Sequence, residues 1–141
     1  MKRSKREEDK LLILLFSIIF VLCLMIAMSL TEEKCYYKDF KVRIYNVMFV
    51  IDKQCSDICD EGCSGYVMAG NNTVHIVLTD EGMTISKVKE ICMHELCHLY
   101  MFSNDANTNE AFCYAYAGSI PNSGVICDNL ILSLKVAGVC R

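Results

Sequence analysis

Residues 11–30 read LLILLFSIIFVLCLMIAMSL, twenty positions without a single charge. At a rise of 1.5 Å per residue such a run makes a helix of about 30 Å, the thickness of a bilayer's hydrocarbon core. This feature divides the chain into a tail (1–10), a transmembrane signal-anchor (11–30) and a domain (31–141). The tail, MKRSKREEDK, carries five Lys or Arg against three acids, and the TEEK that follows the apolar run carries two acids and one Lys. Positive flanks stay in the cytoplasm, so the expected protein is single-pass, with residues 31–141 extracytoplasmic. The rival reading is a cleaved signal peptide. Ala27-Met28-Ser29 offers small residues at cleavage spacing, and cutting near Ser29 would release a secreted domain. The apolar region of a signal peptide is usually about 7–15 residues, which this run exceeds. Both readings export the domain.

Cysteine usage agrees with export. Nine of the ten Cys follow the apolar run, at positions 35, 55, 59, 63, 92, 97, 113, 127 and 140. Disulfides persist outside the cytoplasm, and a domain of this size gains stability from them. An odd number leaves a free thiol or an intermolecular disulfide, and connectivity stays open. Cys55, Cys59 and Cys63 are spaced more widely than the closer pairs of zinc knuckles, so disulfide partners are the simpler reading. From residue 31 onward nine Lys or Arg face fourteen Asp or Glu, a net charge of −5. An acidic domain with no basic stripe excludes nucleic acid as a partner, because phosphate attraction dominates that affinity. The sequon Asn71-Asn72-Thr73 fits an exported surface turn.

The domain reads as strands first and helices after: an α+β fold with a small antiparallel sheet followed by three helices. Residues 40–52 are rich in Val, Ile, Phe and Tyr and are predicted as one strand. Residues 65–70 and 73–78 flank an Asn-rich turn and are predicted as a hairpin. Val88, Ile91, Cys92, Leu96, Leu99 and Phe102 keep helical spacing, predicting a helix from Ser86 to about Phe102. A second helix starts at Thr108 or Asn109, with Thr108 as cap, and a third spans 125–138.

The chemistry concentrates in His94-Glu95-Leu96-Cys97-His98, which holds two of the chain's three His. On a helix, His94 and His98 lie one turn apart on one face, so both imidazoles reach one metal ion. Glu95 sits beside that face, placed to take a proton from an attacking water. A metzincin would carry Gly at 101 and His at 104; Met101 and Asn104 exclude that subclass. Glu110 is the best third ligand, because a short connection between helices favours antiparallel neighbours and brings it opposite His98. Cys97, about 60° around the helix from His94, is expected as a disulfide or a buried thiol.

The pattern resembles the gluzincin class of zinc metallopeptidases, with His94-Glu95-Leu96-Cys97-His98 followed by Asn109-Glu110-Ala111-Phe112. The likeness covers about residues 65–118 and is to a minimal, single-domain member. It implies a Zn2+ ion held by His94, His98 and Glu110, with Glu95 as general base. It also implies a peptide or protein substrate aligned along strand 73–78 as a sheet edge. Two departures stand out: a shorter interval from His98 to Glu110, and Tyr114 where a second carboxylate commonly stands.

Blander readings accompany each residue. The two His can be surface residues of an amphipathic helix, and Glu110 merely a favourable charge at a helix start, with Asp105 and Asp128 as weaker substitutes. His75, Tyr114 and Tyr116 are candidates to contact substrate or a developing oxyanion, against a solvent-facing strand position for His75 and simple packing for the tyrosines. The expected function is a membrane-anchored zinc metalloendopeptidase. The alternative is a disulfide-stapled, anchored binding domain with a structural or inert zinc site.

Overall fold

A computed structural model of the protein describes residues 5–29, 32–55, 62–104 and 109–141. The chain divides into two compact units, Met1–Glu32 and Glu33–Arg141. The first contains helix α1 (Lys5–Ser29), whose segment Asp9–Ala27 is long and apolar enough to cross a membrane. Its leucines, isoleucines and phenylalanines are exposed, as a lipid-facing or signal helix requires.

The second unit is mixed α+β. In chain order it contains β1 (Lys34–Cys35), β2 (Phe40–Ile44), β3 (Val47–Asp52), β4 (Gly65–Met68), β5 (Thr73–Val77) and β6 (Met83–Thr84), then α2 (Ile85–Ser103), α3 (Glu110–Tyr116) and α4 (Ser123–Val136). The main sheet has the order β2-β3-β5-β4, while β1 and β6 form a separate ribbon. Three helices follow the strands, as expected. Residues 40–52 are not one strand. They fold into the β2–β3 hairpin around Tyr45-Asn46, with Tyr45 at φ 54°. Tyr is rarely left-handed, so Asn46 is the one ordinary turn residue in the bend and a weak signal for it.

The expected β4–β5 hairpin is present, with exposed Asn71 in its connection and Asn72 at φ 51°. The sheet is not wholly antiparallel, because β3 and β5 run parallel, Phe49 opposite Val74 and Ile51 opposite Ile76. After β3 the chain first lays down β4 as the outer strand and then returns as β5 between the two. Residues 73–78 therefore do not form an edge: β5 is paired on both sides, and β4 stands at the border.

Alternation buries Val47, Phe49 and Ile51 of β3, together with Val74 and Ile76 of β5, against Val88, Ile91, Leu96 and Leu99 of α2. Leu130, Ile131 and Leu134 of α4 complete this core. Each such side chain contributes roughly 1.5–3 kcal/mol on burial. Thr84 caps α2 by accepting from the Lys87 amide. Asn109, not Thr108, caps α3, and Thr108 lies outside the described residues.

Among the described residues, four disulfides join Cys35 to Cys140, Cys55 to Cys63, Cys92 to Cys127 and Cys97 to Cys113. They account for eight of the nine domain cysteines, and the ninth, Cys59, lies outside the described residues. Cys97 is thus a disulfide partner, and Cys55 and Cys63 pair with each other. Cys23 of α1 is free and exposed.

Candidate metal centre

α2 is amphipathic about the core, and its central turns bury Glu95, Leu96, Cys97 and His98 together. His94 and His98 stand one turn apart, and their Nε2 atoms are 3.1 Å from each other. Glu110, the first residue of α3, places Oε2 3.0 Å from His94 Nε2 and Oε1 3.1 Å from His98 Nε2. Three donors bonded at about 2.0–2.1 Å to one tetrahedral ion would be about 3.3 Å apart. The observed spacings approach that value, so His94, His98 and Glu110 form a group that can hold a metal ion. On a tetrahedral ion these three donors would leave one position to be filled by another ligand.

Electrostatics favour ligation by His98. Its burial disfavours the imidazolium and lowers its pKa, a pull that the Glu110 carboxylate opposes. A neutral imidazole is the form that binds a metal. His94 Nδ1 is buried and has no hydrogen-bond partner among the described residues. Tyr114 stands about one helical turn beyond Glu110. Its ring packs against His94 at 4.4 Å between centroids, while most of the side chain is exposed.

Glu95 lies beside the two His and is 7% exposed. Burial, and secondarily the Glu110 charge, raise its pKa from 4.5 to about 7. A carboxyl poised there can both accept and return a proton near neutral pH. The strand above it explains the burial. A Cβ on Gly65 would meet Ile91 Cγ2 at 2.8 Å and Glu95 Oε1 at 3.0 Å, so only glycine lets β4 pass this close. Sequence reasoning missed Gly65, although a glycine within a strand signals close approach of the backbone. A cleft of about 230 Å³ opens here, lined by residues 62–65, Ile91, His94, Glu95, Glu110 and Tyr114, with the Lys87–Glu90 ion pair at its rim.

Two other candidates lie elsewhere. Gly65 pairs with Ile76 and faces α2, so its neighbours Tyr66 and His75 face the opposite side of the sheet. There His75 Nδ1 is 2.7 Å from Asp52 Oδ2, and its ring stacks on Tyr66 at 4.3 Å. His75 is therefore neither a contact of this cleft nor a freely solvated residue. Tyr116 packs on Phe112 at 4.9 Å and does not line the cleft. Asp128 pairs with Lys89, and Asp105 lies outside the described residues.

Fold and site together define an α+β domain with a candidate three-donor metal centre. The chain matches no family model, no curated protein and no solved structure.

Proposed function

We propose that this chain is a zinc-dependent peptidase of the gluzincin kind, held at a membrane by α1 with its domain on the extracytoplasmic side. The carrying observation is the convergence of His94, His98 and Glu110 beside a buried carboxyl whose pKa is raised to about 7. Four disulfides support an oxidising compartment. The donor chemistry favours zinc, which when bound would polarise a substrate carbonyl and supply hydroxide near neutral pH.

The remaining steps belong to side chains. Glu95 takes the proton of the attacking water and hands it to the leaving amine. Burial disfavours the charged form of His98, which eases its passage to the neutral imidazole that ligates a metal. β4 stands at the sheet border with Gly65 over Glu95, so an extended peptide would lie along it, hydrogen-bonded as an added strand.

Glu95→Gln is expected to keep stoichiometric zinc and to lose peptide hydrolysis by a factor of about 10²–10⁴. His98→Ala is expected to lose the metal. Elemental analysis and peptidase assays of the purified full chain check both. Zinc retained by the wild type without any peptide hydrolysis would favour the binding-domain alternative. Hydrolysis unaffected by Glu95→Gln would remove the role given to that residue.

A further inference from the structure

α3 has seven residues, well short of the roughly 12–15 at which an isolated helix becomes stable in water. Its own packing does little to hold it. Cys113 is its one buried residue, while Glu110, Ala111, Phe112, Tyr114, Ala115 and Tyr116 are exposed. Cys113 is bonded to Cys97, and both are fully buried. Cys97 lies inside the motif turn between Glu95 and His98, and Cys113 lies less than one turn beyond Glu110. Beyond Cys113, the hydrogen bonds, ion pairs and ring contacts described between α3 and α2 run through the site itself: Glu110 to both imidazoles, and Tyr114 on His94. One covalent bond therefore ties the helix that offers the third ligand to the turn that offers the other two.

We propose that the Cys97–Cys113 disulfide is the positioning element that presents Glu110 to His94 and His98, so that tight metal binding is a property of the oxidised chain. This rests on the metal-binding reading above. The other disulfide on α2, Cys92–Cys127, has a different task. It joins α2 to α4, a helix whose one carboxylate, Asp128, pairs with Lys89 and not with the two imidazoles, and which is anchored independently by Leu130, Ile131 and Leu134.

The test measures zinc affinity of the detergent-solubilised full chain by competition with a chromophoric chelator. Replacing both Cys97 and Cys113 by Ala is expected to weaken zinc binding about 10- to 100-fold, the scale of losing a group that orients a ligand. In a Glu110→Ala background the same pair of replacements should cause no further loss, because both act through one carboxylate. Replacing Cys92 and Cys127 should lower the melting temperature and leave zinc affinity unchanged. This contrast separates positioning from general stability.

A second measurement needs no cysteine substitution. Glutathione reduces the protein disulfide to two thiols and is itself oxidised to its disulfide. Linkage is reciprocal, so zinc should make the Cys97–Cys113 pair harder to reduce, by the factor that reduction weakens zinc. Alkylation and mass mapping of the wild type with and without zinc read this directly, and Glu110→Ala should abolish the protection. Equal zinc affinity with and without the disulfide, or no protection by zinc, overturns the positioning role alone. A wild-type chain that binds no zinc overturns the metal reading with it.

Discussion

Glu95 is the residue on which burial and reactivity meet. In the metal-free chain its native pKa is about 7, against 4.5 for the free group. The folded state therefore keeps a proton that the unfolded state has already released between those values. Stability from this group is fully present below pH 4.5 and is lost as pH rises through 7. The whole span is worth about 3 kcal/mol at 1.36 kcal/mol per unit. Glu95→Gln removes the titration and keeps the shape. Urea unfolding of chelator-treated wild type and variant should show the variant gaining about 3 kcal/mol relative to wild type between pH 4 and pH 8. His98, whose lowered pKa costs stability at acid pH instead, is present in both proteins and cancels in the difference. A difference that stays flat with pH would mean that Glu95 is solvated in the native state.

At the scale of elements, what the sequence reveals follows from periodicity. α2 shows itself through Val88, Ile91, Leu96 and Leu99 at helical spacing, and the β4–β5 hairpin through its Asn-rich turn. His94, Glu95, His98 and Glu110 could be read from the same spacing plus donor chemistry. Strand order could not, because alternation says which face a residue takes and nothing about which neighbour its backbone finds. The interior place of β5 and the border place of β4 both follow from that order, whereas His75 takes the far face by alternation with Val74 and Ile76. The β2–β3 turn stayed hidden because Tyr45 occupies a conformation that Gly or Asn normally fills. Tyr45 is 68% exposed, so its ring packs little in return. Tyr45→Gly is expected to stabilise the domain by up to about 1 kcal/mol, the left-handed cost relieved less the added freedom of the unfolded chain. Denaturant midpoints check this, and a fall in midpoint would show that the ring does contribute.

On the scale of the whole domain, the two ends of unit Glu33–Arg141 are fastened to each other and to the start of α2. Cys35 bonds to Cys140 across 105 residues, Lys34 pairs with Thr84, and the Ile85 amide donates to the Glu33 carbonyl. Lys135 of α4 adds an ion pair to Glu33. Two-residue strands such as β1 and β6 are too short for any periodic signal, so this clasp was invisible beforehand, although the cysteines forecast that some staple existed. Loop-closure entropy makes it the strongest of the staples. A loop of about 100 residues is worth about 4.7 kcal/mol, against about 3 kcal/mol for one of about 15. Replacing Cys35 and Cys140 by Ala should therefore lower unfolding free energy more than replacing Cys97 and Cys113. Its effect on zinc should be the smaller of the two, since Thr84 caps α2 well before His94. Paired unfolding curves and zinc titrations of the two double variants separate these effects. If the Cys35–Cys140 variant instead loses zinc as severely as the Cys97–Cys113 variant, the motif helix depends on the clasp for its placement and the centre cannot be treated as a local assembly of α2 and α3.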